Sequence, residues 1–352
     1  MSLAKRVEES LTRSSFRVVL LGYTSTNPIH TNYWPWGMFA KVLKDLGYTV
    51  EWKELEDCRR GQGHPRIFIC WNKPNAQDII EAGVYQPGDV ILQKVTSLGR
   101  GDDGVSWGDD PLGFFKTWTW PTYQMVERLL DGGKNIYAFG CRTNVDLFPE
   151  KKRICKKLGK RLFWIPWGSS LFTWNEIVNA APKMGGLAYD VCFVGSVWGQ
   201  EGRGNIESFI DYVRPLLRGS LYLLAGRGTA RGVVSNQEHK QMLQMSTLCP
   251  IINAPSWRAE RGVQDRFWSV FTAGRFGVVD SEGVYEFFDE KDVVCETDPG
   301  EYIEKSRFFL ENPAAQVPYI EKIQKRIKEE YNYYHTWANI IDTIIRREGS
   351  GR

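Results

Sequence analysis

The sequence predicts an α/β protein built from two doubly wound, Rossmann-like domains that face each other across a central cleft. The chain has 352 residues, of which 42% are hydrophobic, and this length exceeds what one hydrophobic core usually holds. Short apolar runs alternate with longer amphipathic runs, as expected for parallel strands joined by crossover helices. The alternation stops at 169–188 and then begins again, so each half of the chain predicts its own sheet.

The first alternation predicts a strand at 16–23, a helix at 37–47 and a strand at 49–52. One face of this helix is apolar and carries Met38, Val42, Leu43 and Leu46. Such a face is typical of a helix that packs on a sheet. The remaining elements of this half are expected, in order, at 66–71, 76–83, 89–95, 123–133, 135–140, 151–159 and 161–168.

A domain boundary is predicted at 169–188, because this stretch breaks the alternation and contains Pro182 and a Gly185-Gly186 pair. The second half is expected to contain elements at 189–197, 205–217, 220–226, 236–246, 249–256, 263–274, 276–280, 283–288 and 292–296, before a helical C-terminal region. The expected organisation is an N-terminal extension at 1–15, a first domain at 16–170, a linker at 171–188, a second domain at 189–317 and a helical segment at 318–352.

Charge and hydropathy exclude several classes of protein. Lys and Arg number 45 against 42 Asp and Glu, and the resulting net charge of +3 is too balanced to identify a nucleic-acid-binding protein. The apolar runs fall well short of the roughly 18 residues that cross a bilayer. The first fifteen residues lack the apolar core of a secretory signal. A cytoplasmic protein without a transmembrane segment is therefore the expectation.

Cysteine and histidine predict neither a disulfide framework nor a metal site. The seven cysteines are an odd number and most lie inside apolar runs, so they are expected to be reduced thiols. The sequence contains no C-x-x-C pair, and its four histidines are scattered, which leaves no zinc-ligand spacing. No metal and no resident cofactor are expected.

A glycine-rich loop, VGSVWGQEGRGN, follows the first strand of the second half. In doubly wound sheets, ligands bind outside the carboxyl ends of the strands. The loop exposes backbone N–H groups and the next helix adds its positive end, which together suit a diphosphate. The residues expected at this site are Gly195, Ser196 and Arg203. The loop matches neither GxGxxG nor GxxxxGK[ST], so it is neither a dinucleotide fingerprint nor a Walker motif.

Later strands of the second half are also followed by candidate ligand-binding residues. Arg227 lies in the glycine-rich loop AGRGTARG, either as a second phosphate contact or as a surface charge. Trp257 either stacks on a nucleobase or packs beneath its loop. Arg266, early in an amphipathic helix, binds a ligand or forms a structural ion pair. Asp280 and Glu282 follow the strand at 276–280 and are expected at the same edge.

The stretch RFWSVFTAGRFGVVD, followed by DVVCETDPGEYIEKSRFFLENP, resembles the C-terminal half of GT-B glycosyltransferases. It is most similar to the spore-maturation-protein-like branch, whose pattern is R-x-F-E-x-x-x-x-G, and Arg266, Trp268 and Gly274 fit that pattern. YDVCFVGS and the opening VVLLGY extend the resemblance over most of the chain. Ser269 stands where the family carries a Glu that holds the donor ribose. Ser269 is still expected among the donor-binding residues, and Asp265 or Glu282 is expected to supply the carboxylate.

The resemblance implies transfer of a sugar from a nucleotide-diphosphate sugar, bound by the second domain, to a saccharide or other hydroxyl acceptor on the first. It also implies that the C-terminal helical segment crosses back to the first domain. The transfer is expected to be metal-independent, with the leaving diphosphate stabilised by helix-terminal amides and by Arg203, Arg227 or Arg266. The alternatives are a non-catalytic protein that binds sugar nucleotides or glycans, and a glycosyltransferase acting on a modified DNA base.

An inverting enzyme would need a general base in the first half, for which His30, Asp103 and Asp109 are the candidates. His30 is also suited to capping the next helix, and the aspartates to a solvated loop. A retaining enzyme needs no such base. The aromatic loops at 33–36 and 107–123 are expected on the acceptor side, where aromatic rings stack on sugars or bases. A basic cluster at 152–161 is either a phosphate track or a solvated helix face.

Overall fold

The computed structural model describes residues 2–9, 16–24, 33–58, 64–71, 73–95, 120–140, 149–166, 168–184, 187–200, 203–259 and 261–349. These residues form two compact units. The first unit contains the described residues up to Pro166 together with those from Tyr333 onward, and the second contains the described residues of 168–332. The domain boundaries expected from the sequence stay a prediction.

The first unit is built on a six-stranded parallel sheet in the order β2-β1-β3-β4-β5-β6. Its strands are β1 (Arg17–Leu21), β2 (Thr49–Lys53), β3 (Arg66–Cys70), β4 (Val90–Lys94), β5 (Ile136–Gly140) and β6 (Leu162–Trp164). Its helices before residue 167 are α1 (Leu3–Glu9), α2 (Tyr33–Asp45), α3 (Ala76–Glu81), α4 (Trp120–Asp131) and α5 (Pro149–Leu158). Every residue of β3, β4 and β5 is buried, because helices cover both faces of a parallel sheet.

The second unit is built on a smaller parallel sheet in the order β10-β7-β11. Its strands are β7 (Tyr189–Val194), the antiparallel pair β8 (Gly199–Gln200) and β9 (Arg203–Gly204), β10 (Tyr222–Ala225) and β11 (Ser246–Leu248). Single parallel bridges continue the sheet through Leu248–Phe276, Ile251–Val279 and Val279–Cys295. Its helices are α6 (Trp174–Val178), α7 (206–217), α8 (Asn236–Gln244), α9 (Pro255–Ala259), α10 (Asp265–Thr272), α11 (Pro299–Glu311) and α12 (Val317–Glu329).

The stretch 249–256 differs from the expected strand, since only Ile251 forms a bridge and helix α9 begins at Pro255. Two prolines explain the difference. Pro250 has no N–H to donate to a neighbouring strand, and Pro255 occupies the first position of a helix, where its fixed φ is favourable.

The helical segment expected at 318–352 is two helices. It breaks after α12, and α13 (Tyr333–Gly349) then belongs to the first unit. The apolar face of α13 is buried there, with Trp337, Ile340, Ile341 and Ile344 all at most 1% exposed. Asp342 accepts hydrogen bonds from Arg6 in α1 (2.6 Å) and from the hydroxyl of Tyr48 (2.6 Å). Among the described residues, no helix has the length and hydropathy needed to cross a membrane.

Candidate functional site

Two glycine-rich loops pack against each other at the carboxyl edge of the second sheet. Gly195 follows β7 and donates its N–H to the carbonyl of Ala225 at 2.8 Å. A Cβ on Gly226, whose φ is +124°, would lie 2.2 Å from the Gly195 oxygen. A Cβ on Gly228 would lie 2.0 Å from the Val197 oxygen. Only glycine allows the two backbones this approach.

The first of these loops is tied to the start of α7 through Asn205. Its Nδ2 donates to the Ser196 oxygen at 2.6 Å, and its Oδ1 accepts from the Trp198 N–H at 3.0 Å. The glycine-rich turn leading into a helix is therefore found where the sequence predicts it. Ser196 and Arg227 are exposed at this edge, whereas the side chain of Arg203 lies outside the described residues.

Arg266, in the first turn of α10, links the end of β7 to the segment that follows β11. Its Nε donates to the Val194 oxygen at 3.2 Å, and its NH1 donates to the Ile252 oxygen at 2.8 Å. The guanidinium also lies 4.3 Å from the ring centroid of Phe193. Burial lowers the pKa of Arg266 to about 10, so the side chain is still a cation at neutral pH.

The outer nitrogen of Arg266, NH2, lies directly against Gly195. A Cβ on Gly195 would be 2.0 Å from NH2 and 3.1 Å from Cζ. NH2 has no hydrogen-bond partner among the residues that the structure describes. The glycine thus makes room for a guanidinium whose free donors are available to an anion.

Asp265 and Ser269 point toward the segment that opens the second unit. Asp265 accepts from the Ser170 N–H at 3.1 Å and from its hydroxyl at 2.9 Å. Ser269 is 1% exposed, and its hydroxyl lies 2.8 Å from that of Ser169. Burial raises the pKa of Asp265 to about 6, against the lowering effect of the Ser170 hydrogen bonds. Ser269 therefore fixes α10 to the segment around Ser169 by a buried hydrogen bond, and its role in donor binding stays a prediction.

Asp280 is fully buried and directly follows Val279, which forms a parallel bridge with Ile251. It accepts from the backbone N–H of Asn253 at 2.8 Å, from the Asn253 side chain at 2.6 Å and from Arg258 at 3.1 Å. Burial raises the pKa of Asp280 to about 6, and the charge of Arg258 opposes the shift. Arg266 bonds to Ile252 and Asp280 bonds to the next residue, Asn253, so both side chains are anchored at the same edge of the sheet.

A cavity of about 330 Å³ opens beside Asp280. It is lined by Arg258, Arg261, Asp280, Ser281, Glu282 and Thr297. The exposed Glu282 accepts from Arg261 at 3.0 Å. Trp257 packs against Gly262, where a Cβ would lie 1.9 Å from its ring, so the packing alternative describes at least one face of this indole.

Sequence reasoning missed four of the residues that build this site. They are Ser169, Ser170, Asn253 and Arg258. Asn253 carried a recognisable signal, because it is a polar residue directly after an apolar run at a carboxyl edge. The two serines carried none, since their partners lie 95 to 100 positions away in the chain.

The candidate bases His30, Asp103 and Asp109 lie outside the described residues, as does most of the aromatic loop at 107–123. The expectation that the aromatic residues at 33–36 offer their rings to an acceptor is wrong for Trp36. Trp36 is fully buried, donates from Nε1 to the Leu21 oxygen and stacks on Trp71 with 5.7 Å between ring centroids.

The basic cluster at 152–161 is a solvated helix face over part of its length. Arg153 donates to Glu127 at 2.6 and 2.8 Å, and Lys157 lies 2.7 Å from a carboxylate oxygen of Asp131. These acids neutralise both cations, which argues against a phosphate track along this face. No group of three or more potential metal ligands occurs among the described residues.

Residues 175–343 match a protein family described as glycosyl transferase-like. No curated protein sequence matches the chain. Among solved structures, the T4 phage BGT in complex with UDP and Mn²⁺ is 13% identical with a TM-score of 0.57, covering 93% of this chain and 99% of that one. TarM is 11% identical with a TM-score of 0.52, covering 79% of this chain and 54% of that one.

An α-glucosyltransferase in complex with UDP-glucose and DNA containing an abasic site is 9% identical, with a TM-score of 0.50, over 94% of this chain and 98% of that one. At such identities the likeness shows the fold, and it confirms the predicted class of two Rossmann-like domains of the GT-B type. Together with the family match, it supports a glycosyltransferase enzyme, as the sequence predicts.

Proposed function

We propose that this protein transfers a sugar from a UDP-sugar to a hydroxyl acceptor and binds the donor diphosphate at the edge formed by Gly195 and Arg266. The observation that carries the proposal is the unpartnered NH2 of Arg266 beside a glycine, at the carboxyl end of β7. UDP is chosen because solved structures of this fold contain UDP or UDP-glucose.

In the transfer, the acceptor oxygen bonds to the sugar C1, the bond between C1 and the diphosphate oxygen breaks, and the proton of the acceptor hydroxyl passes to a base or to the departing diphosphate. Negative charge develops on the departing diphosphate. A cation and backbone N–H groups fixed in advance at that position stabilise the charge without reorganisation. Arg266 supplies the cation and Ser196 supplies a backbone N–H, because the N–H of Gly195 is already bonded to the Ala225 oxygen, while Arg227 is exposed near the same edge. We propose that these groups suffice without a metal ion, so activity should survive EDTA.

The thermal stability of the protein with nucleotide sugars tests the donor site directly. A ligand that binds only the native state raises the melting temperature by mass action. UDP-sugars should raise it, whereas GDP-, ADP- and dTDP-sugars should raise it less. Arg266→Ala should remove the shift, and Arg307→Ala, which removes an exposed arginine from α11, should keep it. A UDP-sugar shift that survives in Arg266→Ala would overturn the assignment of the diphosphate site.

The missing ribose carboxylate gives a second test of the donor site. Asp265 and Glu282 are the acids at this edge that we propose for the ribose hydroxyls. Asp265 is restrained by Ser170 and Ser269, and Glu282 by Arg261. Asp265→Ala or Glu282→Ala should weaken UDP binding about tenfold, the effect of one hydrogen bond to a charged group. Equal affinity in both variants would show that neither acid replaces the Glu.

The acceptor is proposed to be a saccharide or another hydroxyl compound. Neutralisation of Arg153 and Lys157 by acids of α4 supports this choice over duplex DNA. Release of UDP should be measured with glycan acceptors and, in parallel, with DNA containing a hydroxymethylated base. Faster release with the DNA would favour a base-modifying enzyme, and UDP-sugar binding without release under any condition would favour a non-catalytic binding protein.

A further inference from the structure

Helix α8 carries a histidine that the donor site described above does not use. His239 lies one helical turn before Met242 and Leu243, both buried on the face of α8 that packs on β7. Its Nε2 is buried and has no hydrogen-bond partner among the described residues. Folded proteins rarely keep such an atom, and each one calls for an explanation.

The segment 168–178 contacts both α8 and α10. Ser170 in this segment holds Asp265, the first residue of α10. Glu176 in the same segment accepts from the Nζ of Lys240 at 2.7 Å, and Lys240 follows His239 directly in α8. Both helices are therefore fixed to one short stretch of chain by the residues beside Arg266 and His239.

The topology of the sheet places the same two helices side by side. The chain crosses from β10 past β7 to β11 through α8, and then moves one strand further in the same direction through α10. Right-handed crossovers in one direction lie on one face of a sheet. The N-terminal ends of both helices thus lie at the carboxyl edge, where Arg266 meets Gly195.

The electrostatics agree with this placement. Burial and, next, the positive charge of Arg266 lower the pKa of His239 to about 3. The ring is therefore neutral at physiological pH, and a neutral imidazole has one nitrogen that accepts a hydrogen bond. Arg266 in turn has donors on NH2 that no described residue uses.

We propose that His239 is a positioning residue of the donor site, accepting a hydrogen bond from the Arg266 guanidinium when a nucleoside diphosphate is bound. The inference rests on the proposed function and goes one step beyond it. Nε and NH1 of Arg266 hold the guanidinium from the side of the strands. A hydrogen bond to His239 would fix the plane of the guanidinium from the side of α8, so that the remaining donors of Arg266 point toward the phosphate oxygens.

Calorimetric titration with UDP, together with melting temperatures, tests this role in the full chain. His239→Phe removes the polar atom and keeps a ring, and His239→Gln keeps an acceptor near the same position. We expect His239→Phe to weaken UDP binding about tenfold without a lower melting temperature, because it removes an unsatisfied buried atom. His239→Gln should restore most of the affinity. His64→Phe, a change at an exposed histidine of the first unit, is the matched control.

The outcomes separate the two proposals. Wild-type protein that binds no UDP overturns the proposed donor and this inference with it. Wild-type binding that His239→Phe leaves unchanged overturns the inference alone, as does a loss of affinity that His239→Gln fails to restore. If His239→Phe does not fold, His239→Leu is the second apolar variant, and the same comparison with His239→Gln decides.

Discussion

Replacing Gly195 with alanine should disable the donor site by displacing Arg266. The new Cβ would lie 2.0 Å from NH2, and real Cβ contacts essentially never fall below 3.0 Å. The guanidinium of Arg266 would have to shift away from its position beside the Val194 and Ile252 oxygens and the ring of Phe193. A hydrogen bond to a charged group contributes about 1.5–3 kcal/mol, so loss of the arginine's contact to the diphosphate should weaken UDP binding about 10- to 150-fold.

A double-mutant cycle measured by calorimetry with UDP tests this reasoning. If Gly195→Ala acts only through Arg266, it should cost affinity in the wild-type background and nothing further in Arg266→Ala. Gly349→Ala adds the same methyl group where no atom lies within 4 Å, and it should leave binding unchanged. Wild-type affinity in Gly195→Ala, or equal losses in both backgrounds, would refute the proposed contact between Arg266 and the donor.

Three further predictions follow from the described contacts. Burial raises the pKa of Asp265 to about 6, above its usual value of about 3.9, so the protonated acid favours the folded state and its contribution is lost as pH rises from about 4 to about 6. Thermal unfolding should therefore show that the stability of wild type relative to Asp265→Asn declines over that interval, and a constant difference would contradict the shift. Asp342→Ala leaves the 6%-exposed Arg6 without its carboxylate and should lower the free energy of unfolding in urea by about 2 kcal/mol, whereas Lys41→Ala, in an exposed pair with Asp45, should change it by less than about 0.5 kcal/mol. Gly228→Ala meets the Val197 oxygen at 2.0 Å at a φ of +84°, so it should lower the melting temperature and UDP affinity together; a normal melting temperature would show that the two loops separate easily.

The sheets could be predicted from the sequence because buried parallel strands are continuous apolar runs. The expected strand at 135–140 is found at Ile136–Gly140, and the expected helix at 123–133 overlaps Trp120–Asp131. The break between α12 and α13 could not be predicted, since neither glycine nor proline interrupts that stretch. The side chain of Asn332 ends α12 by donating to the Ile327 oxygen at 2.7 Å, which is a contact that periodicity does not reveal.

Some residues of the candidate site could likewise be predicted from the sequence, and others could not. Gly195 could be predicted because loops after parallel strands collect ligands in this class of fold, and Arg266 because it lies early in an amphipathic helix and fits the pattern R-x-F-E-x-x-x-x-G. The burial of Ser269 was not predicted, because it depends on Ser169, far away in the chain. His239 offered a signal that went unused. Its spacing to Met242 and Leu243 places a polar residue on the apolar face of a helix, whereas the sequence patterns were used to assess the histidines only as metal ligands and, for His30, as a general base or helix cap.

The position of α13 has a consequence for biosynthesis. The described residues of the second unit all come from one stretch of chain, 168–332, whereas the first unit needs Trp337 and the isoleucines of α13 to fill its core. A ribosome adding about 5–20 residues per second takes roughly 10–40 s to go from residue 166 to residue 349. During that time the six-stranded sheet lacks one of its covering helices. The unit that is translated first is thus completed last, and a nascent chain that stalls before residue 333 holds an unfinished first unit beside a second unit whose residues have all been made.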